Sequence, residues 1–180
     1  MPVPVGRPEE VAEKTARVRS LLDRLNLKGV LLRRSSNVAW LSGGRHTHVG
    51  LTGEGGVAHA LVTADKLYLL TSRIEAPRME EEEHLRAAGF EFVVTNWYEP
   101  MTPATDIAGG PVGLDGPSAE FTDVAAEIAP LRYSLTPDEI ERYRWVGKRA
   151  TTALQKTAKA IIPGMTEDEI NQCYVEGVLE

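Results

Sequence analysis

Residues 57–73 read VAHALVTADKLYLLTSR, two short apolar runs held apart by Thr-Ala-Asp-Lys. Runs of this length, rich in β-branched, aromatic and aliphatic residues and interrupted by polar turn formers, read as two strands joined by a tight turn. A turn that short makes the pair antiparallel, so the sheet that receives it cannot be purely parallel. Working outward, GVLLRR (29–34) is apolar and bounded by turn formers, as a buried strand is, and FEFVVTNW (90–97) and VGLD (112–115) supply further strands. Helical patterns lie between them. Val11, Thr15, Val18, Leu22 and Leu25 recur at steps of three and four, the spacing of one buried helix face, and that helix is expected to end near Gly29. SSNVAWLSGG looks like a capped short helix, TPATDIA a weak one, and Ala119 to Leu131 another. Between Arg73 and Gly89 the chain is polar and helix-forming, with Ile74, Met79 and Leu85 too sparse for a deeply buried element. The alternation implies an α/β domain: a mixed β-sheet with helices on both faces, followed by C-terminal helices.

A length of 180 residues holds one ordinary domain and an appendage. The single cysteine, Cys173, excludes an internal disulfide framework and fits a reducing compartment, so a cytoplasmic location is expected. No apolar run approaches the roughly 20 residues of a membrane span, and MPVPVGRPEE has no basic region leading into an apolar stretch. With 20 basic against 26 acidic residues the formal charge is −6, which argues against a general nucleic-acid binder. The densest charge run, Glu80 to Glu83, is most simply a solvated helix face.

A boundary is expected near Ser134, where the last strand gives way to helix, dividing the chain into 1–134 and 135–180. Leu135 to Ile170 reads LTPDEIERYRWVGKRATTALQKTAKAIIPGMTEDEI. Thr136, Pro137 and Glu139 give a helix N-cap, a proline at the first helical position and a capping-box acid; Thr166 and Glu169 repeat the box after the Pro163-Gly164 break. Between the two starts runs a stripe of Ile140, Tyr143, Ala150, Leu154, Ala158 and Ile161 that needs cover from the domain or from another chain. Ile140, Tyr143, Leu154 and Ile161 are the interface candidates.

The pattern L-T-x-x-E-I-E-x-x-R followed by I-x-P-G-M-T-E-x-E-I resembles the opening of the catalytic domain in the M24 metallopeptidase family, which contains Xaa-Pro aminopeptidases, prolidases and creatinase. SSNVAWLSGG resembles the family's N-x-x-Y-L-T-G element, LVTADKLYLLTSRIEAPRMEEE its strand pair and helix, and VGLDGPSA its V-G-x-D strand and turn. These elements follow the family's order over nearly all of the chain. The resemblance implies a creatinase/prolidase-type N-terminal domain of ribonuclease-H-like layout, then the helical start of a truncated catalytic domain. It implies a parent reaction, metal-assisted removal of a residue preceding proline with Mn, Zn or Co, and proline-containing peptides as the substrate of a full-length parent. The uncovered apolar stripe of the 136–162 helix leads to the expectation of a homo-oligomer. The family's ligands, two Asp, one His and two Glu, lie downstream of the PGMTE segment, and no His follows His84 here. No metal ligand, catalytic residue or cofactor is therefore expected in this chain, and no peptidase activity from it alone.

Three residues of the glycine-rich stretch GGRHTHVGLTGEGG remain as site candidates: Arg45, His46 and His48. If the backbone is extended, His46 and His48 project to one side, as two metal ligands could, with His59 or Glu54 as a third. An HxH in such a loop without a cysteine partner is more often simply polar. The resemblance offers another use, since a family N-terminal domain can lie over an active site, where Arg45, His46 and His48 would shape substrate entry. The glycines invite a phosphate-loop reading, but no GxGxxG or GK[ST] pattern is present. Trp40 and Trp145 read as packing residues, Trp97-Tyr98 as a surface pair, and Cys173 as a buried or half-buried thiol rather than a nucleophile. The competing reading is a stand-alone interaction module that has lost a catalytic half and acts through dimerisation.

Overall fold

The hairpin lies inside a six-stranded sheet. In the computed structural model, which describes residues 5–50 and 53–179, β1 (Gly29–Arg34) pairs antiparallel with β2 (Gly55–Thr63), and β2 pairs antiparallel with β3 (Leu67–Ser72). The turn between β2 and β3 is closed by its own side chains. The Thr63 hydroxyl donates to Asp65 Oδ1 at 3.0 Å and accepts from the Lys66 N–H at 3.1 Å. β4 (Glu91–Thr95) joins β3 in parallel, β5 (Val112–Leu114) joins β1 in parallel, and β6 (Thr122–Asp123) joins β5 in parallel. The order is β4-β3-β2-β1-β5-β6. Only β2 opposes the other strands, so the exits of β1, β3, β4 and β5 and the entry of β2 gather at one end of the sheet.

Both faces are covered. On one, α1 (Pro8–Leu25), α2 (Ser35–Leu41), α3 (Ala76–Glu81) and α5 (Ala125–Ile128) bring Val11, Val18, Leu22, Val38, Leu41, Met79 and Ile128 onto Val30, Leu32, Ala60, Val62 and Leu69. On the other, α4 (Ala104–Ala108) and Phe121 cover Leu31, Leu61, Leu70 and Leu114. Each fully buried aliphatic side chain of this kind contributes ~1.5–3 kcal/mol relative to exposure. The helix face read from Val11, Thr15, Val18 and Leu22 is buried as the periodicity requires. The helix stops at Leu25, earlier than Gly29, because Asn26 takes the left-handed cap conformation at φ 53°.

Three local expectations change. The 73–89 segment is helical only over α3, yet Met79 and Leu85 are fully buried. Sparse apolar residues sufficed because the chain folds back after α3 and sets Leu85, Ala88 and Phe90 into the same core. Residues 119–131 are not one helix: Ser118 Oγ accepts from the Glu120 and Phe121 N–H groups and Asp123 Oδ1 from that of Ala125, which favours turn, strand β6 and short α5 over a continuous helix. A 3-10 turn over Ala129–Arg132 follows, so no strand adjoins Ser134.

Contacts divide the chain between Thr136 and Pro137. The second unit is a helical pair, α6 (Pro137–Ala160) and α7 (Glu167–Leu179). The capping box at Thr166 forms reciprocally: the Thr166 N–H donates to Glu169 Oε2 at 2.7 Å, and the Glu169 N–H to Thr166 Oγ1 at 3.3 Å. Those bonds to Thr166 hold the Glu169 carboxyl below its ordinary range. Where the helices cross, a Cβ on Gly177 would stand 3.3 Å from the Ala153 Cβ, so glycine permits the close approach.

Candidate functional site

The glycine-rich loop after α2 enters β2 at the end of the sheet where the other strands leave, and its residues divide by direction. Arg45 and Thr47 turn inward, while His46 is exposed and His48 half-buried. Thr47 is fixed by the strand it precedes. Its carbonyl accepts from the Val57 N–H at 2.7 Å, and a Cβ on Gly56 would stand 2.6 Å from that oxygen, so Gly56 lets the loop lie flat. With Thr47 pinned, its neighbours emerge together. The His46 and His48 rings meet edge to face with centroids 5.3 Å apart.

Arg45 is only 6 % exposed. Its Nε donates to the Glu83 carbonyl at 2.8 Å, and its Nη1 to the Gly6 carbonyl at 3.2 Å and to the Ser42 carbonyl. The guanidinium thus ties the N-terminal segment, the end of α2 and the chain after α3 beneath the loop. The Gly6 N–H donates to the Gly43 carbonyl at 2.6 Å, and Gly43 takes φ +76°. Below this junction the fully buried Lys14 donates to Glu10 Oε1 at 2.5 Å and to the Trp40 carbonyl at 2.8 Å. A buried ion pair is tolerable here because further bonds satisfy it, Thr136 Oγ1 reaching the same Glu10 oxygen at 3.2 Å.

Glu83 departs from the solvated face expected of the acidic run. Its side chain is 15 % exposed. Glu83 Oε2 accepts from the His46 N–H at 2.8 Å, and Arg78 donates to the His46 carbonyl at 3.3 Å while pairing with Glu75 Oε2 at 3.1 Å. Both sides of the His46 residue are therefore held by the α3 region. A second clamp fixes the other wall of the loop. Asp115, buried just after β5, accepts from the Arg33 N–H at 2.8 Å, the Arg34 N–H at 3.0 Å and Asn37 Nδ2 at 2.8 Å; Arg132 Nη1 donates to Asn37 Oδ1 at 2.8 Å. This network joins the exit of β1 to the start of α2. Sequence reading missed Glu83, Arg78, Asn37 and Asp115 as partners. Only VGLD pointed toward one of them, and only as a strand.

His59 lies on β2. Burial, then the nearby Arg33 charge, pushes its imidazole below the ordinary histidine value. Trp40 is buried as a packing residue, whereas Trp97 and Tyr98 are exposed and perpendicular with centroids 5.6 Å apart. Cys173 is half-buried. Ile140, Tyr143 and Leu154 on α6, and Ile161 just past its end, are all exposed. Among the described residues no three His, Cys, Asp or Glu side chains gather as a metal-holding group, and none of their helices is long and apolar enough to cross a membrane.

The chain matches the family model of the creatinase/prolidase N-terminal domain over residues 14–144 and belongs to that family. Its fold is shared with the Xaa-Pro dipeptidase from Bacillus anthracis at a TM-score of 0.66 and 18% identity, covering 94% of this chain and 49% of that one. The prolidase from Pyrococcus furiosus gives 0.64 and 19%, covering 89% and 48%. The X-prolyl aminopeptidase from Caenorhabditis elegans, described as a cytosolic enzyme with a di-nuclear active site, gives 0.60 and 13%, covering 98% and 32%. This chain spans about half the length of the first two. No curated protein matches it in sequence.

Proposed function

We propose that this chain is the non-catalytic N-terminal portion of an Xaa-Pro aminopeptidase- or prolidase-like protein, serving oligomerisation and the restriction of substrate access. The observation that carries the reading is the His46 and His48 pair, presented outward at 5.3 Å from a backbone clamped on both sides. Side chains carried on a loop over a rigid sheet are well placed to meet a ligand without taking part in the core. Arg45 enters as the anchor that sets the loop's height rather than as a group meeting substrate. Hydrolysis, with divalent metal such as Mn, Zn or Co, belongs to the catalytic half of the longer protein, and proline-containing peptides are its substrate; no step is assigned to a metal here.

The test is a chimera joining this chain to the catalytic half of a prolidase. Removing both imidazoles by His46→Ala and His48→Ala forfeits about one hydrogen bond to the peptide, ~1 kcal/mol, and shifts the kcat/KM ratio of Xaa-Pro dipeptide over longer peptides by about fivefold. An unchanged ratio with normal folding overturns the access role. The second reading, an interaction module acting alone, is favoured by one observation: α6 leaves Tyr143 and Leu154 67% and 62% exposed. Under that reading the helical pair is the working surface and the histidine loop is incidental.

A further inference from the structure

Alongside α1, between that helix, the β2–β3 turn and the segment leading into β4, lies a cavity of about 340 Å³. Its charged end is formed by Arg19, Asp65, Lys66 and Glu91, at the end of the sheet opposite the histidine loop. Its floor is apolar, lined by the buried Val11, Leu67 and Ala88. Three of the four charged groups are already engaged. Lys66 Nζ and Glu91 Oε2 pair at 3.0 Å, and Asp65 Oδ1 accepts from the Thr63 hydroxyl. Arg19 differs. Its Nε donates to the Thr63 carbonyl at 3.0 Å, which fixes the guanidinium, yet among the described residues no carboxylate pairs with it. One turn earlier on the same helix face stands Thr15, 4% exposed, whose hydroxyl has no hydrogen-bond partner among the described residues. Buried hydroxyls in folded proteins nearly always have one, so both groups point to a ligand that brings acceptors.

We infer that this cavity binds a small monocarboxylate with an apolar body, its carboxylate on Arg19 and its hydrocarbon over Val11, Leu67 and Ala88. A guanidinium held at Nε keeps its two terminal nitrogens for the paired oxygens of a carboxylate. Threonine in a helix has two accessible χ1 rotamers, so the Thr15 hydroxyl can turn toward the bound carboxylate from one turn away. Asp65 and Glu91 limit the charge of the occupant. A dicarboxylate or phosphate would set a second negative charge against them, and like charges brought together at a binding surface are costly. The apolar floor in turn favours a ligand with hydrocarbon to bury, which acetate lacks. The volume is at the small end of ligand pockets, which run from about 300 Å³ upward, and suits a single ring or branched chain rather than a polypeptide segment. The site shares no residue with the histidine loop, so the inference goes beyond the access reading.

The experiment is a two-dimensional amide NMR titration of this chain at neutral pH with benzoate, benzamide, acetate and phthalate. Benzoate should give saturable shifts confined to residues 11–19, 65–67 and 87–91. Benzamide keeps the ring and loses the charge, acetate keeps the charge and loses the ring, and phthalate adds a second carboxylate. Each should bind at least about tenfold more weakly than benzoate. Arg19→Gln should lose as much as benzamide does, and Arg19→Lys should recover part of it. Thr15→Val, close in shape, should weaken benzoate about threefold with the rest of the spectrum in place. Ala12→Phe fills the cavity from an exposed helix position without touching a charged group, and should abolish the shifts. No saturable shift with benzoate, equal binding by acetate or benzamide, or benzoate binding that survives Arg19→Gln or Ala12→Phe unchanged overturns the proposal. That failure would leave the His46 and His48 access role standing, since the latter is read from peptide-length preference in the chimera.

Discussion

Replacing Arg45 with alanine separates structural from presenting residues within a single loop. The guanidinium donates to the carbonyls of Gly6, Ser42 and Glu83, two of which belong to buried residues. A buried acceptor left without its donor costs ~1–3 kcal/mol. Against this, the variant no longer buries a charge, which offsets part of the loss. The balance is a destabilisation of about 2–4 kcal/mol, a large share of the ~5–15 kcal/mol available to a domain. With a urea dependence of ~2 kcal/mol per molar, the unfolding midpoint falls by about 1–2 M. Arg45→Lys should recover only part of it, because a point donor cannot span three carbonyls. His46→Ala with His48→Ala removes rings that touch chiefly each other and solvent, and should cost under ~1 kcal/mol. Urea melts followed by tryptophan fluorescence, with Trp40 buried near the junction, measure all three. If Arg45→Ala is as mild as the double histidine variant, the buried fork contributes nothing net and the anchoring argument fails. If the double variant is as damaging as Arg45→Ala, the imidazoles are structural and the access reading goes with them.

Two further outcomes follow from the same coordinates. His59 is held below its ordinary value of ~6.5, so the folded protein keeps it neutral while the unfolded chain takes up a proton. Its contribution to stability is therefore complete above the unfolded value and declines as pH falls through that value, levelling only below the folded one. Melts between about pH 7.5 and 5.5 should show a shallower acid loss for His59→Gln than for the parent; identical slopes would count against the burial. On α6, Leu154→Glu places a charge in the exposed apolar stripe, and light scattering at micromolar concentration should show an assembly reduced toward monomer. A parent chain that already runs as a clean monomer removes the oligomerisation proposal.

The layers were legible because local chemistry and burial agree. Residues 57–73 are two apolar runs about a turn that closes itself, and Val11 to Leu22 repeat at the helical period, so neither needs distant partners to declare its type. That His46 and His48 meet is consistent with the condition under which the sequence puts them on one side, an extended backbone through the loop. What the sequence could not reveal are pairings over long separations. Glu83 stands 37 residues from the His46 N–H it accepts, and Asp115 stands 82 from the Arg33 N–H. Read locally, Glu83 is one acid among four, and Arg45 is one polar residue between glycines. Their burial is decided by the fold that brings Gly6, Ser42 and the α3 region together.

The position of Asp115 also follows from the topology. In α/β sheets a ligand usually sits beyond the carboxyl ends of the strands, at the point where the chain switches direction across the sheet. Here that point is between β1 and β5, the neighbours from which successive strands diverge. Asp115 already occupies it, its carboxylate accepting from the Arg33 and Arg34 N–H groups and from Asn37. The amides that could have greeted an external anion are satisfied internally, and they hold α2 in place. The next gap, between β1 and β2, is lined among the described residues by Arg34, Ser35, Ser36, His48 and Glu54. Replacing Asp115 would therefore not create a second site. It would release the backbone N–H groups of Arg33 and Arg34 and the side chain of Asn37 that Asp115 holds together.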